Sequence, residues 1–477
     1  MNTKAIQLLI GLTLVLLLGM GLRHLGLSLI HPAPLEYGEG VSLYWSQQAA
    51  SGADLYPTIH EEHLPWLHNP YTPLYSILSS KLQKLLPQPH PLFAGRVLSL
   101  LGLLLSCTAI FALARRELDR FWAGFASLLF LLNPVLLQHA VLMRPDLLAL
   151  GCSLWSVQLC LGKPNAGRFA LAAGLATLAF WSKQSYITAL LLLGFRLIQR
   201  KQPRLLLPML GSLLGISLLC MLHPSLRNAG ATWQHLVTLH RLPWSGARML
   251  ELIASWGGLQ LFWIALGAGC VCTRPHVLKA YALFALIPPL LSLGIAGSGE
   301  AYLLELSAIL LLTAVSLLPG LMKKNPQISY LLLLLQLLLM IPLQPAPVFT
   351  RTYGQELSGG SGGLTPGQAE RDLSRTLISE LQRQDSPLLS SSPGYALLSE
   401  HDLQLQVFQF GTLMQSGAWS AETLQQLILN HDFACMLLQG NAEEGLDPYL
   451  PAELQELIHR EYTLSRVLGP WHVYLRP

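Results

Sequence analysis

Charge is scarce in this 477-residue chain: Asp, Glu, Lys and Arg make up 12% of it, against about 25% in an ordinary soluble domain, while 52% is hydrophobic. A soluble or disordered protein is excluded. No Walker-type glycine loop is present, so nothing points to ATP or to a nucleotide sugar. His60-Glu61-Glu62-His63 lacks the His-Glu-x-x-His spacing of a metalloprotease helix and has Pro65 close behind it, so no metal ligands are assigned. Six of the seven cysteines fall in or beside apolar runs, which leaves Cys435 alone in the last quarter and excludes a disulfide within it. Basic residues interleaved with aromatics, the footprint of nucleic-acid binding, are also missing.

Apolar runs, by contrast, are abundant. A hydrocarbon core of about 30 Å needs roughly 20 apolar residues per helical crossing. The sequence predicts eleven such spans, near residues 5–29, 92–114, 121–142, 146–162, 168–182, 185–200, 204–222, 255–273, 277–296, 301–320 and 328–345. No small-x-small cleavage site follows the first run, which is expected to stay as a span. The expectation is a polytopic α-helical membrane protein with a small C-terminal α/β domain outside the membrane.

Charge divides the chain near residue 345. Residues 1–345 hold 23 Lys and Arg against 11 Asp and Glu, whereas residues 346–477 hold 7 against 15. With a cytoplasmic N-terminus, the cytoplasmic segments collect Arg115, Arg116, Arg120, Arg200, Lys201, Lys323 and Lys324, with only Glu117 and Asp119 as acids. The positive-inside rule then sets the orientation, and eleven spans place the acidic tail outside. The remaining acids of the membrane half, among them Glu36, Glu39, Asp146, Glu300 and Glu305, gather at or near the external face. Ionised groups tied to a span usually line a cavity. A polar cavity open to the outside is the expected place of work.

The first external loop, 31–91, is far longer than ordinary helix connections and should carry function. It contains Pro34-Leu35-Glu36-Tyr37-Gly38-Glu39-Gly40, then Gly52-Ala53-Asp54-Leu55-Tyr56-Pro57, then Asn69-Pro70-Tyr71-Thr72-Pro73-Leu74-Tyr75. An amphipathic run from Leu74 to Leu86 fits a membrane surface. Further on come Arg144-Pro145-Asp146 between the third and fourth spans, Lys183-Gln184 after the fifth, and Gly299-Glu300-Ala301-Tyr302-Leu303-Leu304-Glu305 entering the tenth. The stretch from His223 to about Ala254, with Trp233, His235, His240, Arg241 and Trp244, suits an interfacial segment beside a lipid.

In this order and on one face, these motifs resemble those of the GT-C membrane glycosyltransferases, nearest to bacterial relatives of protein O-mannosyltransferases and the lipid A aminoarabinose transferase. The resemblance covers residues 1 to about 345. It implies an inverting glycosyltransferase that moves a sugar from a polyprenyl-phosphate carrier to a lipid, glycan or protein acceptor, outside a bacterial cytoplasmic membrane. The chemistry explains the residue types independently. An acceptor hydroxyl needs a carboxylate to take its proton, and the phosphate leaving group needs fixed positive charge rather than an acid.

Glu39 and Glu36 are the candidates for that base, with Glu39 favoured because glycines flank it and allow close approach. Arg144 is read as a phosphate contact, with Asp146 as its orienting partner or a sugar contact. The matching family position gives Lys183, with Gln184 beside it, the same phosphate role, and Arg241 is a further candidate. Asn69, Tyr71, Tyr302, Glu305 and Glu300 are candidates for the sugar or acceptor. Glu305 lies one turn beyond Ala301, on the face expected to point into the cavity. No cofactor is implied, and a divalent cation is left open.

Residues 346–364, around Ser358-Gly359-Gly360-Ser361-Gly362-Gly363, read as a flexible linker. Residues 365–477 read as the small domain: a helix from Thr365 to Gln384, short strands drawn from Pro387–Pro393, Leu403–Phe410, Ala421–Asn430, Phe433–Leu438 and Trp471–Leu475, and a last helix from Leu446 to His459. Two rival functions remain. A secondary transporter should show internal repeats and mid-membrane charge, neither of which is found; a non-catalytic lipid-binding membrane protein would use the same cavity.

Overall fold

The computed structural model describes residues 3–341 and 365–477, apart from 88, 164, 227, 272–275 and 442–444. The expected Gly/Ser-rich linker and the end of the eleventh expected span lie outside the described residues. The chain opens with α1 (Thr3–Leu29), followed by α2 (Tyr37–Ser51) and α3 (Leu74–Leu85) within the long loop. Next come α4 (Phe93–Ala114), α5 (Arg120–Leu131), α6 (Pro134–Ala140), α7 (Asp146–Cys160), α8 (Ala166–Ser182), α9 (Thr188–Arg200) and α10 (Leu206–Met221). After α11 (Ala229–Trp233), the second half of the membrane part is α12 (Gly246–Leu259), α13 (Leu261–Val271), α14 (His276–Ser292), α15 (Leu304–Lys324) and α16 (Pro326–Leu339).

Among the described residues four segments, Thr3–Leu29, Phe93–Ala114, Pro203–Met221 and Glu300–Lys324, are long and apolar enough to cross a membrane alone. Two bent pairs bring that number to six if each counts as one crossing: α5 with α6, at 66°, and α12 with α13, at 96°. The uniform spans expected at 121–142 and 255–273 are therefore broken helices. At the first break Asn133 caps α6 through its side chain, ahead of Pro134, whose missing N–H is harmless at a helix start. The expected spans at 146–162, 168–182, 185–200, 277–296 and 328–345 correspond to helices of 13 to 17 residues. Pro145, immediately before α7, begins that helix without a lost hydrogen bond and leaves Arg144 outside it.

Apolarity sorts the helices by depth. The span that includes α15 is the most enclosed of the four, while the one that includes α10 presents Leu207, Leu214 and Leu219 outward, as a lipid-facing helix should.

The tail holds helices Gln368–Leu381, Pro393–Leu398, Val407–Gln415, Glu422–Leu429 and Ala452–Glu461, with strands β1 (Leu388–Ser390), β2 (Cys435–Asn441), β3 (Gly445–Leu446), β4 (Thr463–Leu468) and β5 (Trp471–Leu475). The sheet runs β1-β2-β5-β4, with β1 parallel to β2, the β2–β5 and β5–β4 pairs antiparallel, and β3 pairing β2. Two segments expected as strands are helical: Leu403–Phe410 runs into Val407–Gln415, and Ala421–Asn430 contains Glu422–Leu429. Their buried residues recur at helical spacing, Val407, Phe410 and Met414 in one and Leu424 and Ile428 in the other. The expected last helix begins at Ala452 rather than Leu446, because Leu446 is taken into β3.

Loop and tail share two apolar clusters. Trp45, Val41, Tyr56 and Leu67 of the loop cluster with Tyr395, Leu437 and Trp471, and Trp66 and Ile59 cluster with Leu405, Phe410 and Met436. Trp66 and Leu405 pair as neighbouring strands do: Trp66 N–H donates to the Gln404 carbonyl at 2.9 Å and Gln406 N–H to the Trp66 carbonyl at 3.1 Å. The closest approach is at Gly40, where an added Cβ would lie 2.2 Å from the Gly394 nitrogen. Gly40→Ala is expected to lower stability by about 1–3 kcal/mol, as overpacking does, and to loosen the tail. Faster tryptic release of the tail together with a lower Tm would be the readout.

Asp447 adds a pH effect. It is buried beside Ser391 and the Tyr449 N–H, and burial pushes its carboxyl up from 3.8 to about 6. A raised carboxyl favours the folded state below the unfolded value and loses that advantage as pH rises through about 6. The tail should therefore be less stable at pH 7 than at pH 4 on this account. Asp447→Asn is expected to raise Tm at pH 7 and to flatten its pH dependence between about 4 and 6, measured by thermal melting across pH.

Candidate active site

Glu36 and Glu39 both belong to the start of α2, Glu36 as the residue capping it and Glu39 in its first turn. Their surroundings differ. Glu39 is fully buried and forms a two-point ion pair with Arg96, both contacts at 2.8 Å. It also accepts the Leu35 N–H and the Met143 N–H, each at 2.7 Å. Its oxygens are thus committed to four donors. Arg96 in turn donates to the carbonyls of Ser28, His31 and Ala33. The favoured base of the sequence reading sits in a closed structural network; like Glu36, it is not a lining residue of the cavity.

Glu36 faces Arg144, whose Nη1 reaches both carboxylate oxygens at 3.2 Å. Burial pushes the Glu36 carboxyl above its usual range, while Arg144 and the Gly38 N–H pull the other way. Gly38, which lines the cavity, packs so closely on this pair that an added Cβ would sit 2.7 Å from Glu36 Oε1.

Arg144 connects four groups. Its Nε donates to Asp146 Oδ2 at 3.2 Å and its Nη2 to the Tyr71 hydroxyl at 3.0 Å, besides the Glu36 contacts. Lys183 Nζ donates to Asp146 Oδ1 at 2.6 Å and lies 4.4 Å from the centre of the Tyr302 ring and 5.8 Å from that of Tyr71. One buried carboxylate, Asp146, therefore holds two cations in fixed relation from behind. Burial raises the Tyr71 hydroxyl despite its cationic neighbours, so it stays a neutral phenol.

Arg144, Lys183, Tyr71, Tyr302 and Gln184 all line one cavity of about 280 Å³ between loop, membrane helices and tail. Gln184 donates to the Pro70 carbonyl at 2.7 Å, fixing the Asn69–Tyr75 turn against the end of α8. Other expected site residues lie elsewhere. Asn69 is buried in the turn, donating to the Leu55 carbonyl and, through its N–H, to His235 Nδ1 at 2.9 Å. Glu305 takes a hydrogen bond from Ser153 of α7 inside the helix packing, not in the cavity, because α7 lies across the face that the helical spacing selected. Glu300 accepts from Ser255 at 3.4 Å, also outside it. Arg241 is exposed and does not line the cavity; the nearby Arg248 is the one tied down, to the Ser298 carbonyl at 2.6 Å.

Sequence reasoning missed the rest of the wall. His68 and His240 line the cavity, with His235 stacked behind His68 at 5.8 Å, and burial keeps all three neutral by lowering their pKa values, His240 to about 4. The segment read as interfacial thus buries His235, while Trp233 and Trp244 remain exposed. Gln406, Phe408 and Gln409 close the cavity from the tail. No local signal marks them, since they are distant in sequence from every motif. Among the described residues no group of three His, Cys, Asp or Glu side chains is placed to hold a metal ion.

Crystal structures of ArnT from Cupriavidus metallidurans, one apo and one bound to undecaprenyl phosphate, superpose on this chain with a TM-score of 0.63. Identity is 14% and 13%, over 96% of this chain and 97% of theirs. The chain has the GT-C fold. Residues 51–199, in the first half of this GT-C fold, match the model of the MptA_B family, described as an alpha-(1->6)-mannopyranosyltransferase N-terminal domain. The Archaeoglobus fulgidus oligosaccharyltransferase in complex with Zn and sulfate matches with a TM-score of 0.50 at 11% identity, over 97% of this chain and 73% of that one. No curated protein matches the sequence.

Proposed function

We propose that this GT-C protein is an inverting glycosyltransferase that takes a sugar from a polyprenyl-phosphate carrier and passes it to a hydroxyl-bearing acceptor outside a bacterial cytoplasmic membrane. The observation that carries the reading is the pair of cavity-lining cations, Arg144 and Lys183, anchored from behind by Asp146. Fixed cations that need no rearrangement are what a departing phosphate requires. The MptA_B match and the ArnT relative bound to undecaprenyl phosphate support the donor class.

In this reading Arg144 and Lys183 hold the phosphate, and Tyr71 and Tyr302 flank it. Glu36 is the base: the acceptor hydroxyl attacks the anomeric carbon, the bond from that carbon to the phosphate oxygen breaks, and Glu36 takes the hydroxyl proton. A phosphate competing for the Arg144 guanidinium loosens its hold on Glu36. Burial raises the Glu36 carboxyl, which suits a base working near neutral pH. Glu39 serves as structure. The positive-inside pattern supports an external cavity with the N-terminus inside.

The test uses purified protein in lipid nanodiscs, polyprenyl-phosphate monosaccharides and an acceptor lipid or peptide panel. Wild type should release polyprenyl phosphate in a sugar-dependent way, and Arg144→Ala and Lys183→Ala should each raise KM for the donor and lower kcat. Background release by wild type with every donor and acceptor would sink the proposal.

A further inference from the structure

Taking the proposed sugar transfer as its basis, the cavity also carries information about the sugar. Among the described residues no carboxylate lines it: Glu36, Glu39, Asp146 and Glu305 are turned to Arg144, Arg96, the Arg144–Lys183 pair and Ser153. What does line it, besides the two cations, is neutral and polar. Gln406 is 2% exposed; its side-chain oxygen accepts the His68 N–H at 3.1 Å, which fixes the amide and leaves its Nε2 without a partner. On another wall, Gln184 donates through Nε2 to Pro70 and leaves its buried Oε1 unpartnered. A buried amide end without a partner is expensive unless a ligand satisfies it. One wall thus offers a donor and another an acceptor, the complement of sugar hydroxyls, which do both.

We propose that Gln406, supplied by the tail, together with Gln184, selects an uncharged hydroxyl-bearing sugar over one with a protonated amine. An ammonium group in this cavity would face Arg144 and Lys183, while the nearest carboxylate, Glu36, is already paired with Arg144 and does not line the wall, which disfavours the ammonium by repulsion as well as by desolvation. The tail is then part of the specificity site, because Gln406 is held in place by its backbone pairing with Trp66 of the loop.

The experiment compares two donors on the same polyprenyl phosphate, an uncharged hexose and a 4-amino-4-deoxypentose, in nanodiscs, reading kcat/KM from polyprenyl phosphate release. Wild type should prefer the uncharged donor by at least about tenfold. Gln406→Leu should cut kcat/KM for that donor by roughly tenfold with little change for the amino sugar. Gln406→Glu should narrow or reverse the ratio. The ratio of two donors does not depend on the fraction of protein folded, so a merely structural loss cannot imitate the result. Preference of wild type for the amino sugar, or a ratio unmoved by Gln406→Glu, overturns the proposal and leaves the transfer reading standing. Release from neither donor overturns both.

Discussion

Glu36→Gln is expected to leave a folded protein whose kcat is lower by about 10²–10⁴-fold, the usual contribution of a positioned base. The glutamine keeps one side-chain oxygen that can accept from Arg144 or from the Gly38 N–H. The pH profile separates loss of a base from loss of position. Burial raises the Glu36 carboxyl, so the rate in wild type should climb with pH through a limb above the ordinary carboxylate range as the base loses its proton. That limb should vanish in the variant. A Glu36→Gln protein with wild-type turnover would remove Glu36 from the mechanism.

Breaking the Glu39–Arg96 pair should act on stability instead. Glu39→Leu leaves a fully buried guanidinium without its counter-charge and strips the Leu35 and Met143 N–H groups of their acceptor; Arg96→Met leaves a buried carboxylate and three carbonyls short of a donor. Each single change is expected to destabilise by about 3–5 kcal/mol, since a lone charge is then buried unpaired. The double replacement should recover little, because the orphaned backbone groups remain. Thermal unfolding in detergent, with size-exclusion profiles to count folded protein, would measure this. If Glu39→Gln instead keeps a wild-type Tm and loses all turnover, Glu39 regains the role of base and the assignment to Glu36 falls.

The comparison of these two glutamates shows where sequence stops. Both have the same side chain and stand three residues apart at the start of α2. Flanking glycines favoured Glu39, yet those glycines serve packing: Gly40 meets Gly394 of the tail, and Gly38 makes room for Glu36. Arg96, the partner of Glu39 in the structure, lies 57 residues away, with no motif around it. Arg144, Asp146, Lys183 and Gln184 were legible because each stands beside a helix end whose break is written in Pro145 or in a charged residue after an apolar run. Glu305 was misplaced because helical spacing gives the face but not the neighbour, and the neighbour is Ser153 on α7.

The sequence by itself determined the membrane character, because hydropathy acts on each segment one at a time. Its ordered motifs also pointed to the GT-C superfamily, whose fold the chain has. Only the tertiary structure decided which carboxylate is spent on holding α1, α2 and α4 together. It also decided that α5 and α12 break rather than run through, and that Gln406 and Gln409 of the tail close the cavity. Those outcomes depend on groups brought together from distant parts of the chain. Burial and pairing there set whether a charge can be free, and no local pattern records who the partner is.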